Sequence, residues 1–214
     1  NKDSVDRIAD YVDLTRRLGP LAEFLTLNVS SPNTPGLRAL QKRAALDSLL
    51  AILAPARGSI PLFLKIAPDL EPSDEADIAA LCVEHRLAAL IVSNTTVARP
   101  PGLRSPHAEE AGGLSGRPLF ERSTRLLARM AVRLGGRVPL IGVGGIASGA
   151  DAYAKIRAGA TALQLYTALV YQGPALIERI LGELDASLAR DGFDHIEDAL
   201  GRDAEILARP LPAD

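Results

Sequence analysis

The sequence predicts an α/β fold built on one parallel β-sheet. Apolar, strand-like runs alternate with helical patterns along all 214 residues, as expected of repeated βα units. Most of these runs are continuously apolar rather than alternating, which is typical of parallel strands covered on both faces. Polar residues cluster directly after the strands, at the end where parallel α/β proteins build their sites.

Five strands and six helices account for these patterns. We predict strands at about residues 23–29, 61–66, 88–93, 138–143 and 161–166. We predict helices at about residues 4–18, 38–54, 73–87, 120–134, 149–158 and 174–190. Ser73 and Ser148 are predicted N-caps, and Ser148 forms a capping box with Asp151.

The connection at about residues 95–119 is the exception to this alternation. Its sequence, TTVARPPGLRSPHAEEAGGLSGRPL, has neither a helical nor a strand period. Structureless connections of this length in compact domains are usually either functional or disordered. The glycine cluster GGLSG at its end favours a functional loop.

Composition argues against several classes of function. The formal net charge is −2, and aromatic residues make up 4% of the chain without any tryptophan. Neither a basic nor a base-stacking surface for nucleic acid is therefore indicated. No apolar run reaches the ~18 residues of a membrane helix. Cys82, the single cysteine, cannot form an internal disulfide, and with His85, His107 and His195 it lacks metal-ligand spacing, so no metal site is predicted.

Each predicted strand ends in residues that can bind or react. They are Asn28, Ser30, Ser31 and Asn33 for the first strand, Lys65 for the second, Ser93, Asn94, Thr95 and Thr96 for the third, GVGG for the fourth, and Gln164, Tyr166 and Thr167 for the fifth. Taken singly, these are ordinary features: an asparagine in a turn, a lysine that snorkels to solvent, a tight glycine turn. Their recurrence at five strand ends favours one shared site.

The last two strands have the most informative spacing. In IGVGGIAS a strand leads through glycines to a capped helix start, and QLYTALV follows the same plan about twenty residues later. Two adjacent turns of this kind form a phosphate cradle, as they do after the last two strands of many barrels. Together with the charge of Lys65, they predict a phosphate-bearing cofactor.

Six motifs together resemble the quinone-linked class of the dihydroorotate dehydrogenase family. In chain order they are NVSSPNTPGLRALQ, KIAPDL, SNTT, GGLSGRPL, IGVGGI and QLYTAL, and the resemblance runs from residue 1 to about residue 200. Soluble members of the family carry a cysteine where this chain has Ser31, so the serine indicates the membrane-associated class. The resemblance implies a (β/α)8 TIM barrel, of which this chain supplies about five βα units, with FMN at the C-terminal face.

The resemblance also implies roles for individual residues. Ser31 would be the base that removes a proton from C5 of dihydroorotate while hydride leaves C6 for the flavin, with Thr34 and a water as its relay. The residues implied to hold the pyrimidine ring and its carboxylate are Asn28, Asn33, Asn94 and Thr95. The residues implied to contact FMN are Asn28, Lys65, Ser93, Gly116, Gly144, Gly145, Tyr166 and Thr167.

The resemblance further implies that residues 1–214 are the C-terminal part of a single FMN-binding barrel domain. A closed barrel of this kind has eight strands, whereas five are predicted here. The remaining strands, a substrate-binding lysine and a helical pair that binds quinone and the membrane are expected upstream of Asn1. The expected partners are dihydroorotate or orotate and a quinone, without nucleic acid. The expected location is peripheral, on the cytoplasmic side of a bacterial inner membrane, with this part itself soluble.

Two alternatives stay open from the sequence. The chain could belong to another FMN-dependent barrel reductase, such as a relative of the dihydropyrimidine or dihydrouridine reductases. The combination of SSPNT with SNTT argues against this, because paired asparagines suit a carboxylated pyrimidine. The chain could also be an inactive fragment or a binding module that keeps the fold, although intact Ser31, Lys65 and Asn94 argue against that.

Overall fold

The computed structural model describes residues 4–210 and contains the five predicted strands. They are β1 (Leu25–Asn28), β2 (Leu62–Ile66), β3 (Ala89–Val92), β4 (Leu140–Val143) and β5 (Ala162–Gln164). The α-helices are α1 (Arg7–Leu18), α2 (Arg43–Arg57), α3 (Pro72–Glu84), α4 (Phe120–Leu134), α5 (Gly149–Arg157), α6 (Thr167–Gln172), α7 (Ala175–Asp191), α8 (Ile196–Ala199) and α9 (Ala204–Leu207). Each strand lies inside its predicted range, so the α/β prediction is confirmed.

The sheet is entirely parallel, and its strands lie in chain order from β1 to β5. A doubly wound sheet reverses its order at a switch point, whereas successive strands of a (β/α) barrel lie side by side in chain order. The chain therefore forms an arc of the barrel type. The register pairs Asn28 with Lys65 and Val143 with Gln164, which brings the strand ends together at one edge.

The two faces of the sheet are covered differently. In β2, Leu62, Leu64 and Ile66 are buried in the large core between the sheet and the helices. Phe63 and Lys65 alternate with them and are only half-buried, because successive side chains of a strand point to opposite faces. All four positions of β3 are buried. On the inner face, Phe63 packs against the buried residues Ala89, Ile91 and Ile141. The expectation of strands covered on both faces is thus confirmed for β3 and holds in part for β2.

One of the two predicted N-caps is present in the structure. The Ser148 hydroxyl accepts a hydrogen bond of 3.2 Å from the Asp151 N–H, which confirms the predicted cap of α5. Ser73, by contrast, is not a cap. Helix α3 begins one residue earlier, at Pro72, with Glu71 as N-cap, because the fixed φ of proline suits the first helical position.

The predicted helix at 38–54 is divided into two segments. A 3₁₀ helix (Leu37–Gln41) precedes α2. The Gln41 side chain is buried and accepts a hydrogen bond of 2.8 Å from the Ala67 N–H, which holds this segment against the loop after β2. Sequence periodicity also misses α6, α8 and α9, because helices of six, four and four residues contain too few turns to show a period.

The long connection between β3 and α4 is folded. Thr96 and Leu114 form an antiparallel bridge with backbone hydrogen bonds of 3.1 and 2.7 Å. Inside the bridge, the Arg99 guanidinium donates hydrogen bonds to the carbonyl oxygens of Ala108 and Gly112. These contacts place the glycine cluster beside the ends of the strands. Among residues 4–210, no helix combines the length and apolar character needed to cross a membrane.

Candidate functional site

The carboxyl ends of the strands border a cleft with a volume of about 550 Å³. The predicted site residues that line it are Lys65, Ser93, Asn94, Thr95, Gly116, Gly144, Gly145, Tyr166 and Thr167. Of the described residues that line the cleft, none is an aspartate or a glutamate, whereas Lys65 and Arg117 are cations. The cleft is therefore electrostatically suited to an anionic ligand.

Lys65 is a half-buried lysine on the inner face of the sheet. Desolvation by burial lowers its pKa from the ordinary value of a lysine. Within residues 4–210 its ammonium group has no hydrogen bond or ion pair. A partly buried cation without a partner is unfavourable, so negative charge placed in the cleft would stabilise it.

Asn28 at the end of β1 and Asn94 after β3 are joined through their side chains. Asn94 Nδ2 donates to Asn28 Oδ1 at 3.2 Å and to Ser30 Oγ at 3.0 Å. Ser30 Oγ donates in turn to Asn28 Oδ1 at 2.9 Å, and the Thr95 N–H donates to Asn94 Oδ1 at 2.8 Å. The network reaches across β2 and fixes the orientation of both amides. The structure thus brings together three of the four residues predicted to hold a pyrimidine.

The other predicted residues lie in the loop after β1, outside the lining of the cleft. Ser31 is half-buried, and its Oγ accepts a hydrogen bond of 3.2 Å from the Asn33 N–H. Asn33 lines a second cavity, formed with the β3–α4 connection. Among the described residues Ser31 and Thr34 share no hydrogen bond, and the Thr34 carbonyl instead accepts one from the Leu37 N–H. The relay through Thr34 stays a prediction.

Arg38 and Asp69 connect three loops, a feature that sequence reasoning misses. The Arg38 guanidinium donates to the Ser30 carbonyl at 3.0 Å, to Asp69 Oδ2 at 2.9 Å and to the Thr95 carbonyl at 2.8 Å. Asp69 also accepts a hydrogen bond from the Thr96 hydroxyl. The loops after β1, β2 and β3 are therefore held by one ion pair. The available signal was the position of both residues inside the motifs NTPGLR and KIAPDL.

Glycine backbone forms part of the cleft wall. Gly116, Gly144 and Gly145 have φ angles of +75°, +108° and +77°, a region that favours glycine. A Cβ at Gly145 would lie 2.5 Å from the Cβ of Phe120. Within residues 4–210, the N–H groups of Gly144 and Gly145 have no acceptor. Unpaired backbone donors beside a cleft without carboxylates fit a phosphate group.

Tyr166 and Thr167 reach the cleft from a position that differs from the prediction. Because β5 ends at Gln164, they stand at the start of α6 rather than at the end of a strand. Thr167 Oγ1 donates to Ser115 Oγ at 3.2 Å. This bond connects α6 to the glycine cluster of the long connection.

The cysteine and the histidines lie away from the cleft. Cys82 is buried in α3, and burial raises the pKa of its thiol to about 12, which makes it unreactive. His85 pairs with Asp47 on the outer side of the molecule. Across residues 4–210, no cluster of three or more His, Cys, Asp or Glu side chains is able to hold a metal ion.

Parallel βα units in chain order, with a glycine-walled and cation-bearing cleft at the strand ends, define an α/β protein of the barrel type. The family model described as "Dihydroorotate dehydrogenase" matches residues 1–188 of this chain. The chain therefore belongs to the dihydroorotate dehydrogenase family.

Relatives and solved structures agree with this assignment. The chain is 55% identical over 207 residues to "Dihydroorotate dehydrogenase (quinone)" of Sphingopyxis alaskensis, covering 95% of this chain and 58% of that protein. It is 52% identical to "Dihydroorotate dehydrogenase (quinone), mitochondrial" of Oryza sativa, covering 95% of this chain and 45% of that protein.

A crystal structure of DHODH from Eimeria tenella in complex with ferulenol superimposes with a TM-score of 0.90 at 40% identity, covering 95% of this chain and 60% of that one. The chain thus spans about three fifths of the length of that solved structure and of the Sphingopyxis relative.

Proposed function

We propose that the protein containing this chain oxidises dihydroorotate to orotate, with FMN as cofactor and a quinone as the final electron acceptor. The observation that carries the proposal is the joined pair of amides, Asn28 and Asn94, beside a cleft in which a lysine and two glycine N–H groups have no partner among residues 4–210. This arrangement lies in a chain of the dihydroorotate dehydrogenase family. It supports a site in which the cleft binds a cofactor and the amide pair binds a flat, anionic substrate.

The residues that line the cleft fit FMN. Bound there, FMN supplies the acceptor for a hydride from the substrate. Gly144 and Gly145 offer N–H groups that have no acceptor in the described part of the chain and could bind a phosphate. Lys65 offers a positive charge that would stabilise negative charge on a ring. The other lining residues assigned to this group are Ser93, Gly116, Tyr166 and Thr167, and Asn28, which lies beside the cleft, is assigned to it as well.

Asn28, Asn33, Asn94 and Thr95 are proposed to hold the substrate. Amide side chains present donors and acceptors in one plane, which matches the alternating polar groups of a pyrimidine ring. The hydrogen bonds between Asn28 and Asn94 keep both amides in fixed orientations. Fixed orientation contributes to rate because the reacting carbon must be held in one geometry.

Ser31 is proposed as the base that removes the proton from C5. The Asn33 N–H donates to Ser31 Oγ at 3.2 Å, and such a bond stabilises negative charge as it develops on that oxygen. An alcohol also needs a path for its own proton. Thr34, three residues further along, is the proposed member of that path.

Quinone enters the proposal through the relatives' names, and the membrane enters it through the class that Ser31 indicates. The relatives from Sphingopyxis and Oryza are both called quinone enzymes, and Ser31 matches the class in which quinone is used. We assign this protein a peripheral position at the inner face of a bacterial inner membrane. The residues that would contact quinone are proposed to lie mostly outside this chain.

The proposal is tested with the purified protein under anaerobic conditions. Dihydroorotate is expected to abolish the absorbance band of oxidised flavin, and a soluble ubiquinone analogue is expected to restore it. Dihydrouracil, which lacks the carboxylate, is the control substrate and is expected to leave the band unchanged. Reduction by dihydrouracil at a similar rate would favour a dihydropyrimidine reductase, and a protein that never binds flavin would contradict the proposal altogether.

A further inference from the structure

Lys155, in α5, is a lysine whose side chain is fully buried. Its Nζ donates to Ser123 Oγ at 2.6 Å and to the Val143 carbonyl at 3.4 Å, and it lies 5.1 Å from the ring centroid of Phe120. Among residues 4–210 it forms no ion pair with a carboxylate. Lysines are almost never fully buried without one, because the desolvation of the charge is costly. A functional role for the Lys155 charge would explain why a lysine is buried at this position.

The lysine lies directly behind the glycine turn of the cleft. Its Nζ donates to the Val143 carbonyl, which also accepts from the Ser93 N–H at 3.4 Å. Ser123 Oγ lies 3.1 Å from the Phe120 carbonyl and 3.3 Å from the Gly144 carbonyl, and its single proton can be donated to either of them. In a planar trans peptide the N–H points opposite to the carbonyl of the same unit. A Val143 carbonyl directed toward Lys155 thus directs the Gly144 N–H away from it, and the Gly144 carbonyl does the same for the Gly145 N–H. The Lys155 contact thus turns the Gly144 N–H away from the core, and a bond from Ser123 to the Gly144 carbonyl does so for the Gly145 N–H. Among residues 4–210 neither N–H has an acceptor.

We infer that Lys155 is a positioning residue for anion binding, which aims the N–H groups of the Gly144–Gly145 turn at a phosphate group and whose protonation is coupled to that binding. The inference rests on the proposed function, which assigns the turn to the phosphate of FMN. The inference gives a role to the charge of Lys155, which is buried outside the lining of the cleft and lies in none of the sequence motifs.

Lys155 has charged groups near it on α5 and α7, and its own protonation changes near neutral pH. Desolvation lowers its pKa to about 7, and Asp151 on the same helix opposes that decrease. Asp151 is itself paired with Arg117 at 2.8 Å, and on α7 the Glu183 carboxylate pairs with Arg179 at 3.5 Å.

Helix α4 presents only the neutral Ser123 and Phe120 to the ammonium group. A bound phosphate favours the charged lysine, so the affinity for phosphate should fall as pH rises through the pKa of Lys155.

The test compares two flavins that differ only in the phosphate. Flavin-depleted protein is titrated with FMN or riboflavin, and binding is followed by quenching of flavin fluorescence. In Lys155→Met, the Kd for FMN is expected to rise about 10- to 100-fold, the equivalent of one charged hydrogen-bond partner. The Kd for riboflavin should stay the same. Lys42→Met, which changes an exposed lysine paired with Asp74, is the matched control and should change neither.

The pH series gives a second readout. Native protein should bind FMN progressively more weakly from about pH 7 to pH 9, while riboflavin binding stays flat and Lys155→Met shows no slope for either flavin. Phosphate monoesters are already dianionic above about pH 7, so the ligand itself does not produce this slope. The riboflavin series also removes any contribution of Lys65, which is assigned to the ring.

Each outcome separates this inference from the proposed function. Equal weakening of FMN and riboflavin in Lys155→Met, or FMN binding as tight as in the native protein, would overturn the inference while the proposed function stands. Native protein that binds neither flavin would overturn both. Should Lys155→Met not fold, Ser123→Ala removes the link to the Gly144 carbonyl and keeps the charge. It should weaken FMN and spare riboflavin, and equal Kd values to native protein would contradict the inference.

Discussion

Replacing Arg38 by methionine should destabilise the protein strongly, although the residue lies in a loop. The substitution removes three hydrogen bonds to the loops after β1, β2 and β3. The apolar stem keeps its length, so the change isolates the guanidinium. Asp69 loses its closest cation, since the second one, Arg122, lies at 3.6 Å.

The magnitude follows from burial. Breaking a buried ion pair from one side costs about 3–5 kcal/mol. The Arg38 and Asp69 side chains are 23% and 15% exposed, and Asp69 keeps its bond from the Thr96 hydroxyl. We therefore expect the free energy of unfolding to fall by about 2–4 kcal/mol.

Urea-induced unfolding of native and variant protein measures this loss. Arg43→Met is the matched control, because Arg43 pairs with Asp77 and Glu84 on the surface with its side chain 48% exposed. It should cost less than about 1 kcal/mol. Arg38→Lys should recover only part of the loss, since an ammonium cannot donate in the three directions of the guanidinium fork. Equal losses for Arg38→Met and Arg43→Met would refute the assignment of the three loops to one ion pair.

Three further predictions concern the cleft and the loop after β1. Ser31→Ala should slow reduction of the flavin by dihydroorotate ~10²–10⁴-fold in stopped-flow experiments with little change in substrate affinity. Ser31→Cys should keep more activity, because a thiol has a reference pKa of ~8.5. A native rate in Ser31→Ala together with a loss in Ser30→Ala would show that Ser30 is the base. Lys65→Met should lower the reduction potential of the bound flavin in spectroelectrochemical titration, since a positive charge beside the ring is removed; an unchanged potential would place Lys65 away from the ring. Gly145→Ala should lower the free energy of unfolding by more than about 2 kcal/mol, because φ is +77° and the new Cβ would lie 2.5 Å from Phe120. The control Gly182→Ala, inside α7 with open space around it, should be neutral or stabilise the protein by up to about 1 kcal/mol.

The sequence by itself determined the strands and the edge at which the site forms. Continuous apolar runs specify parallel strands through short-range periodicity, and residues that follow such strands must meet at one edge of the sheet. For this reason Lys65, Asn94 and Gly145 line one cleft as predicted. The family motifs predicted the roles of the residues in the loop after β1, and hydrophobic periodicity alone does not indicate such roles.

The tertiary structure alone decided which residues hold the site in place. Arg38 is 31 positions from Asp69 and 57 from Thr95 along the chain, and no local pattern encodes a pairing over such distances. Lys155 has the sequence context of an ordinary helix lysine, yet α4 and β4 pack over it and bury its charge. A side chain's burial and partners depend on which elements fold against it, and that is a property of the packed molecule rather than of its neighbours in the chain.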